Sequence, residues 1–314
     1  MRVLIAGGAG FIGSHLCDRM LERGDEIIVV DNLSTGRMQN IEHLIGQPNF
    51  SFVELDVTQP FTVEGHLDAV MNLASPASPD DFLRMPLEIL AVGSTGTRNL
   101  LDLAVEKKAR FFLASTSEVY GDPEEHPQTE SYWGNVDPIG PRSCYDEAKR
   151  FSEAITMAYH RTHGLEVRIV RIFNTYGPRM VPRDGRVVNM FCVQALTGEP
   201  ITLFGTGDQT RSFCYVADQV SGFLKLLEGP ITGPCNIGNP NEFTMRELAE
   251  QVIELTASAS PIIVVPLPEE RTGDPMQRQP DITLAMDALD WKPTVELRDG
   301  LRHMIDWLRT QPIS

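Results

Sequence analysis

The chain has no C-x-x-C pair: Cys17, Cys144, Cys192, Cys214 and Cys235 are scattered along its 314 residues. That spacing leaves no disulfide framework and no thiolate zinc site, and makes a reducing cytoplasm the expected compartment. The seven histidines include no H-E-x-x-H. His160 and His163 share a helical end, but beside Arg161 and Arg150 they read as a solvated face, so no metal is expected. Basic residues are scarce, 27 against 43 acidic for a net charge of -16. The imbalance argues against nucleic acid or an anionic membrane as partner. No apolar run approaches the ~18 residues of a membrane span. The opening MRVLIAGGAGFIGSHL lacks a basic n-region and a cleavage site, so no signal peptide is expected. Internal repeats and low-complexity tracts are also absent.

The remaining composition, 42% hydrophobic and 22% charged, is that of a globular protein long enough for one large domain or two unequal ones. Arg2 to Ala6 reads as a buried strand running into Gly7-Gly8-Ala9-Gly10-Phe11-Ile12-Gly13, with helical spacing from Ser14 to Arg23. Glycines at 7, 10 and 13 allow a tight turn, close approach of a pyrophosphate, and helix-on-strand packing, with the helix N-terminus facing the anion. A second strand, Glu26 to Val30, ends in Asp31, whose carboxylate can accept from an adenosine ribose and repels a 2'-phosphate. Strand, glycine turn, helix, strand and acid in that order indicate dinucleotide binding, with NAD preferred over NADP.

Strands at Asn49 to Glu54, Ala69 to Leu73, Arg110 to Ala114 and Val167 to Ile172 alternate with helices at Pro86 to Lys107 and Ser143 to His163. Such alternation predicts a doubly wound parallel sheet of Rossmann type. Ligands of these sheets gather at the carboxyl ends of the strands. There fall Asp31, Asp56 (placed to meet an adenine edge), the loop from Ala74 to Pro79, and the cluster Thr116-Ser117-Glu118. Beyond residue 178 the texture changes. Helices are expected over Gly185 to Thr197, Val216 to Leu227, Thr244 to Leu255 (behind a Thr N-cap) and Leu297 to Leu308. Short strands are expected at Ile201 to Phe204 and Cys235 to Ile237. The predicted division is a Rossmann domain of residues 1–178 with a return segment 213–240, and a smaller α/β domain of 179–212 and 241–314.

Tyr145 and Lys149, four apart, share a helical face. An ammonium beside the phenol favours phenolate, whose ordinary pKa of roughly 10 is too high for a base at neutral pH.

These stretches together resemble the extended short-chain dehydrogenase/reductases, through GGAGFIG, the Thr116 cluster, YDEAK and NTYGPR. Within them the chain is most similar to the UDP-glucuronate decarboxylases, or UDP-xylose synthases, through LASPASP, ASTSEVYGDP, HPQTESYWG, PIGPRSCYDEAKR, RIFNTYGPRM, DGRVVNMF and QTRSF. The resemblance implies NAD as a recycled cofactor, held by Gly7, Gly10, Phe11, Ile12, Gly13, Asp31, Asn32, Asp56, Val57, Leu73, Ala74, Tyr145 and Lys149. It implies Thr116, Tyr145 and Lys149 as hydroxyl, base and ammonium of a redox step. Ser117 and Glu118 stand where related 4,6-dehydratases carry Asp-Glu. Ser117 cannot act as that acid, so dehydration is disfavoured, whereas Glu118 and Arg211 become candidates to aid protonation at C5. A UDP-sugar would meet Asn174, Arg186, Val187, Asn189, Phe204, Gln209, Arg211 and Arg271. Arg211 is assigned to the carboxylate and Arg271 to the diphosphate. Phe204 is either a uracil platform or core, and the two Asn and Gln209 are either sugar donors or turn residues. Relatives pair through the two long helices, so a homodimer is expected.

The chain departs from its relatives at several positions. Ala6 replaces a Thr, Asn72 a His, and Asp137 an Asn. Gly93 replaces the Asn of N-x-x-G-T, and ERTGDP at 270–275 looks more like the sugar epimerases. A 4-epimerase, a decarboxylase releasing the 4-keto pentose, and a non-catalytic nucleotide-binding module therefore remain as alternatives.

Overall fold

A computed structural model describes residues 1–266 and 277–313. The first half runs β1 (Arg2–Ala6), α1 (Phe11–Glu22), β2 (Glu26–Asp31), β3 (Phe50–Glu54), β4 (Ala69–Asn72), α2 (Pro79–Arg84), α3 (Pro86–Ala91), α4 (Thr97–Lys107), β5 (Arg110–Thr116), α5 (Ser143–His163) and β6 (Val167–Ile172). The second adds β7 (Thr175–Tyr176), α6 (Val187–Thr197), β8 (Ile201–Phe204), β9 (Thr210–Ser212), β10 (Cys214–Tyr215), α7 (Val216–Glu228), β11 (Pro234–Ile237), β12 (Glu242–Thr244), α8 (Met245–Thr256), β13 (Ile262–Val265), α9 (Thr283–Leu289) and α10 (Leu297–Leu308).

Seven strands form one sheet in the order β11-β6-β5-β4-β1-β2-β3, every pair parallel. The central strands are buried on both faces, which is why RVLIA and AVMN carry almost no polar side chains. Order reverses between β1 and β4, so a crevice opens at their carboxyl ends. Separate apolar clusters cover the two faces of the sheet. A third cluster joins α6, α8 and α10 around Ile201 and Leu203. Residues 282–291 depart from the predicted division: Ile282, Ala285, Leu289 and Trp291 pack with the sheet's cluster and not with that of the second unit.

Local signals are matched closely. Thr244 caps α8 through a reciprocal capping box with Glu247. Three differences have physical causes. Helix α1 starts at Phe11, inside the glycine turn, and α6 starts at Val187 because Gly185 sits at φ +81°. The long helix expected over Pro86 to Lys107 is continuous but passes through a π turn, Val92–Gly96, between α3 and α4. There a Cβ on Gly93 would lie 2.6 Å from the Cβ of Ala148 on α5, so the missing side chain sets how closely the two segments pack. No helix among the described residues is long and apolar enough to cross a membrane, and all five cysteines are buried free thiols.

Candidate active site

The crevice opens into a cavity of about 1180 Å³ that runs from the glycine turn past Thr116 and Tyr145 to Phe204 and Arg211. Its cofactor end is shaped by absent side chains. A Cβ on Gly7, at φ +81°, would lie 2.7 Å from the Leu73 carbonyl, and one on Gly13 would run into the Gly7 carbonyl. Gly7, Gly10, Phe11, Ile12, Gly13 and Leu73 line this end, so the turn and the first turn of α1 present backbone to an anion. Asp31 lies just behind the lining. It accepts from the amides of Ala9 (3.0 Å) and Leu33 (2.9 Å), and burial pushes its carboxyl above the usual range. Asn32, Asp56, Val57 and Ala74 also stand outside the lining. Asp56 is engaged by the amide and hydroxyl of Thr58, and the Val57 carbonyl by Asn99. The loop that does line the cavity, Ser34-Thr35-Gly36-Arg37, escaped the sequence reading. Its signal was a glycine flanked by polar residues directly after Asp31.

Next come the reacting groups. β5 delivers Thr116, the first turn of α5 delivers Tyr145, and Lys149 follows one turn on. Tyr145 is buried, its ring stacked on Phe82 at 4.8 Å and its phenol in hydrogen-bonding reach of the Thr116 hydroxyl. Lys149 Nζ lies 5.7 Å from the phenol ring centroid and donates to the Ala114 carbonyl at 2.9 Å. Burial opposes the phenolate expected from the Tyr145–Lys149 spacing. Burial pushes Tyr145 above its ordinary value against the Thr116 hydrogen bond, with Glu118 and Asp146 adding to the rise. Burial likewise pulls Lys149 down to about 8.

Ser117 and Glu118 line the cavity beside Thr116. Glu118 is clamped by two guanidiniums, Arg142 at 2.5 Å and the almost fully buried Arg278. Against the cost of burial, Arg278 and Arg142 together bring its pKa down to about 2. Glu118, one of the groups expected to aid protonation at C5, is thereby held as a carboxylate. Arg278 and Arg142 both line the cavity, and sequence alone assigns neither a role: their partner is 160 and 24 residues away, with no local spacing to mark it.

At the far end Asn174, Arg186, Val187, Phe204, Gln209 and Arg211 reach the cavity wall. Arg186 pairs with Asp184 and lies over the Phe11 ring at 5.6 Å. Gln209 donates to the Phe204 carbonyl, and Arg211 to that of Thr210. Asn189 does not reach the wall. It is fully buried and donates to the Val181 carbonyl and to Asp184, a brace for the loop that precedes α6. Arg271, with ERTGDP, lies outside the described residues.

Comparison with known proteins agrees with this geometry. The GDP-mannose 4,6 dehydratase family matches residues 4–304. UDP-glucuronic acid decarboxylase 5 of Arabidopsis thaliana is 55% identical over 302 residues, 96% of this chain and 87% of the relative. UDP-glucuronic acid decarboxylase 1 of Danio rerio is 50% identical over 98% of this chain and 72% of its own. Among solved structures, UDP-glucuronic acid 4-epimerase from Bacillus cereus, in complex with UDP-glucuronic acid and NAD, superposes with a TM-score of 0.85 at 27% identity, covering 98% and 99% of the two chains. With identity of this order along nearly its whole length, the chain belongs to the GDP-mannose 4,6 dehydratase family of extended short-chain dehydrogenase/reductases, and within it to the UDP-glucuronic acid decarboxylases.

Proposed function

We propose that the protein decarboxylates UDP-glucuronate to UDP-xylose with NAD as a recycled cofactor. The observation that carries this reading is the convergence of Thr116, Tyr145 and Lys149 on one cavity in a chain 55% identical to a UDP-glucuronic acid decarboxylase, with a serine at 117. NAD fits the glycine cradle at Gly7 and Gly13, and when bound it supplies a hydride acceptor for C4 that later returns the hydride, together with the positive charge of its oxidised ring.

Tyr145 takes the C4 hydroxyl proton, with Thr116 aligning the phenol and the Lys149 ammonium beside it. The resulting C4 ketone is beta to the C6 carboxylate, so carbon dioxide can leave with its electrons delocalised onto the C4 oxygen. Hydrogen bonds from Tyr145 and Thr116 stabilise that enolate, and a missing donor of this kind costs ~3 kcal/mol. Ser117 offers no acid to expel a hydroxyl. Arg211, Arg186 and Arg278 supply guanidinium forks suited to carboxylate and diphosphate. Phe204 is the uracil platform, Asn174 and Gln209 are sugar or diphosphate donors, and Arg271 is retained as a diphosphate ligand on residue type. Asn32, Asp31, Asp56, Val57 and Ala74 shape the cofactor end from behind its lining.

The cofactor unit comprises 1–178, 213–240 and the returning stretch 282–291, and the rest binds the nucleotide sugar. Buried free thiols suit a reducing cytoplasm. Leu83, Leu87 and Leu90 on α2 and α3, with Phe151 on α5, form an exposed apolar face through which two copies pair as a homodimer.

Incubation with UDP-glucuronate and NAD is the test. Carbon dioxide and UDP-xylose without net NADH is the expected result. UDP-galacturonate without carbon dioxide, or net NADH with a keto pentose, would overturn it.

A further inference from the structure

Decarboxylation consumes one proton: the carboxylate departs as carbon dioxide, and C5 of the enolate takes H⁺ in its place. With Glu118 held as a carboxylate, the proton has to come from elsewhere. A second, small cavity of about 60 Å³ lies behind the active site, lined by Glu118, Asp122, Asn135, Asp137, Arg142 and Asp146 among others. It has room for water, and its walls offer water the polar partners it needs. Glu118, Arg142 and Arg278 line both this cavity and the large one, so these three side chains are the partition between them. On the outer side, Asp137 is exposed to solvent. On the inner side stands Asp146, only 6% exposed, with an Oδ1 that is buried and finds no hydrogen-bond partner among the described residues.

We propose that Asp146 is the proton reservoir for the C5 protonation step, and that the small cavity is the water-filled route by which it delivers that proton through the Glu118 partition and is recharged from solvent. The inference rests on the decarboxylase reading above. A protonated Asp146 gives its proton to a cavity water, that water passes one on past Glu118 to C5, and the resulting Asp146 carboxylate takes another from solvent at the Asp137 side. One proton enters for each carbon dioxide lost, and no redox partner is involved.

The charges around Asp146 agree with such a role. Burial, and then the Glu118 carboxylate on the turn after β5, push its carboxyl up to about 7. Arg142 on α5 and Arg278 from the C-terminal segment oppose the rise, and Glu147 on α5 adds to it. The group therefore holds a proton below about pH 7 and gives it up above.

The experiment reads carbon dioxide, UDP-xylose and nicotinamide absorbance together in wild type, Asp146→Asn and Asp146→Ala, with UDP binding as a check on folding. In the wild type, the fraction of turnovers trapped as NADH after carbon dioxide release should rise between about pH 6 and 9, as the donor is lost. Asp146→Asn should release about one carbon dioxide per site in a burst, accumulate NADH, and lower kcat about two decades with KM within about twofold. Formate should restore Asp146→Ala at least about tenfold, because a small acid occupies the vacated space. A wild-type partition flat across that pH range overturns the proposal without recourse to any variant. An Asp146→Asn enzyme that keeps wild-type kcat and pH dependence also overturns it. Failure of the wild type to release carbon dioxide at all refutes the decarboxylase reading itself, a different and separable outcome.

Discussion

Gly93→Ala is the sharpest test of how the fold aims the catalytic pair. The new Cβ would sit 2.6 Å from Ala148 Cβ and 3.1 Å from the Ala148 carbonyl oxygen. Carbon atoms rest at about 3.5–4.0 Å, so α5 must retreat by about 1 Å. Ala148 precedes Lys149 and follows Tyr145 by three positions, so the retreat is carried to both. Ser152 donates to the Gly93 carbonyl at 2.8 Å, and that bond stretches with it. Overpacking of this size costs about 1–3 kcal/mol, and replacing a helical glycine returns about 0.5–1, which leaves a net loss of about 0–2.5 kcal/mol. The effect on rate is larger, since a ~1 Å misplacement of reacting groups costs about two decades. Urea unfolding gives the first quantity and carbon dioxide release the second, and the Gly93→Ala/Ala148→Gly pair closes the cycle by removing the opposing methyl. The double variant should recover most of the rate although Ala148→Gly alone costs up to about 1 kcal/mol of helix propensity. A single variant within about twofold of wild-type activity, or a double variant no better than the single, refutes the account.

Tyr145→Phe should abolish turnover while NAD binding, measured by calorimetry, changes little; an active variant removes the phenol from the chemistry. Glu118→Ala should destabilise the fold by about 3–5 kcal/mol in urea titration, because it strands the guanidinium of Arg278 in the interior. Lys149→Met should do the opposite at pH 7. The fall of Lys149 from 10.5 to about 8 corresponds to a burial cost of about 3 kcal/mol. The unfolded chain binds the extra proton between those two values, so the cost is complete below about pH 8 and fades as pH rises to about 10.5. An inactive variant more stable at pH 7, with the gain shrinking at alkaline pH, is expected; a less stable one contradicts the assignment. The wild type should sediment as a dimer and Leu87→Arg, at a side chain 75% exposed on α3, as a monomer; a monomeric wild type or an unchanged dimer contradicts the proposed pairing.

What the sequence made legible was local. The glycine turn, Asp31, Thr116 and the Tyr145–Lys149 spacing each lie within one strand–turn–helix unit, where the residues that matter are neighbours in the chain and the periodicities of 2 and 3.6 apply. The alternation of elements carried the sheet as well. What escaped is non-local. Nothing near Glu118 announces that Arg278 closes on it, nor does anything near Gly93 announce Ala148. Asn189 is the converse case: the Nδ2 of an amide in a motif that resembles a sugar contact donates to Val181 and Asp184, and only the fold of residues 181–186 reveals it.

The same non-locality governs the ionisation of the reactive groups, which is set by burial and by partners far away in the chain. Tyr145 is driven toward the neutral phenol and Lys149 toward the neutral amine, both by burial, while Glu118 and the two arginines satisfy one another. A dry site strengthens every interaction within it, so charges arriving with the ligands act at close range. Bound oxidised nicotinamide would add a cation to this cavity and so favour phenolate at Tyr145. The uronate brings an anion that competes with Glu118 for guanidinium donors and favours ammonium at Lys149. Base strength is thus conferred by occupancy, and a Tyr145 titration followed by ultraviolet absorbance should move to lower pH when NAD is bound. If the phenol titrates at the same pH with and without cofactor, the ionisation that starts the reaction must be supplied by something other than the charges identified here.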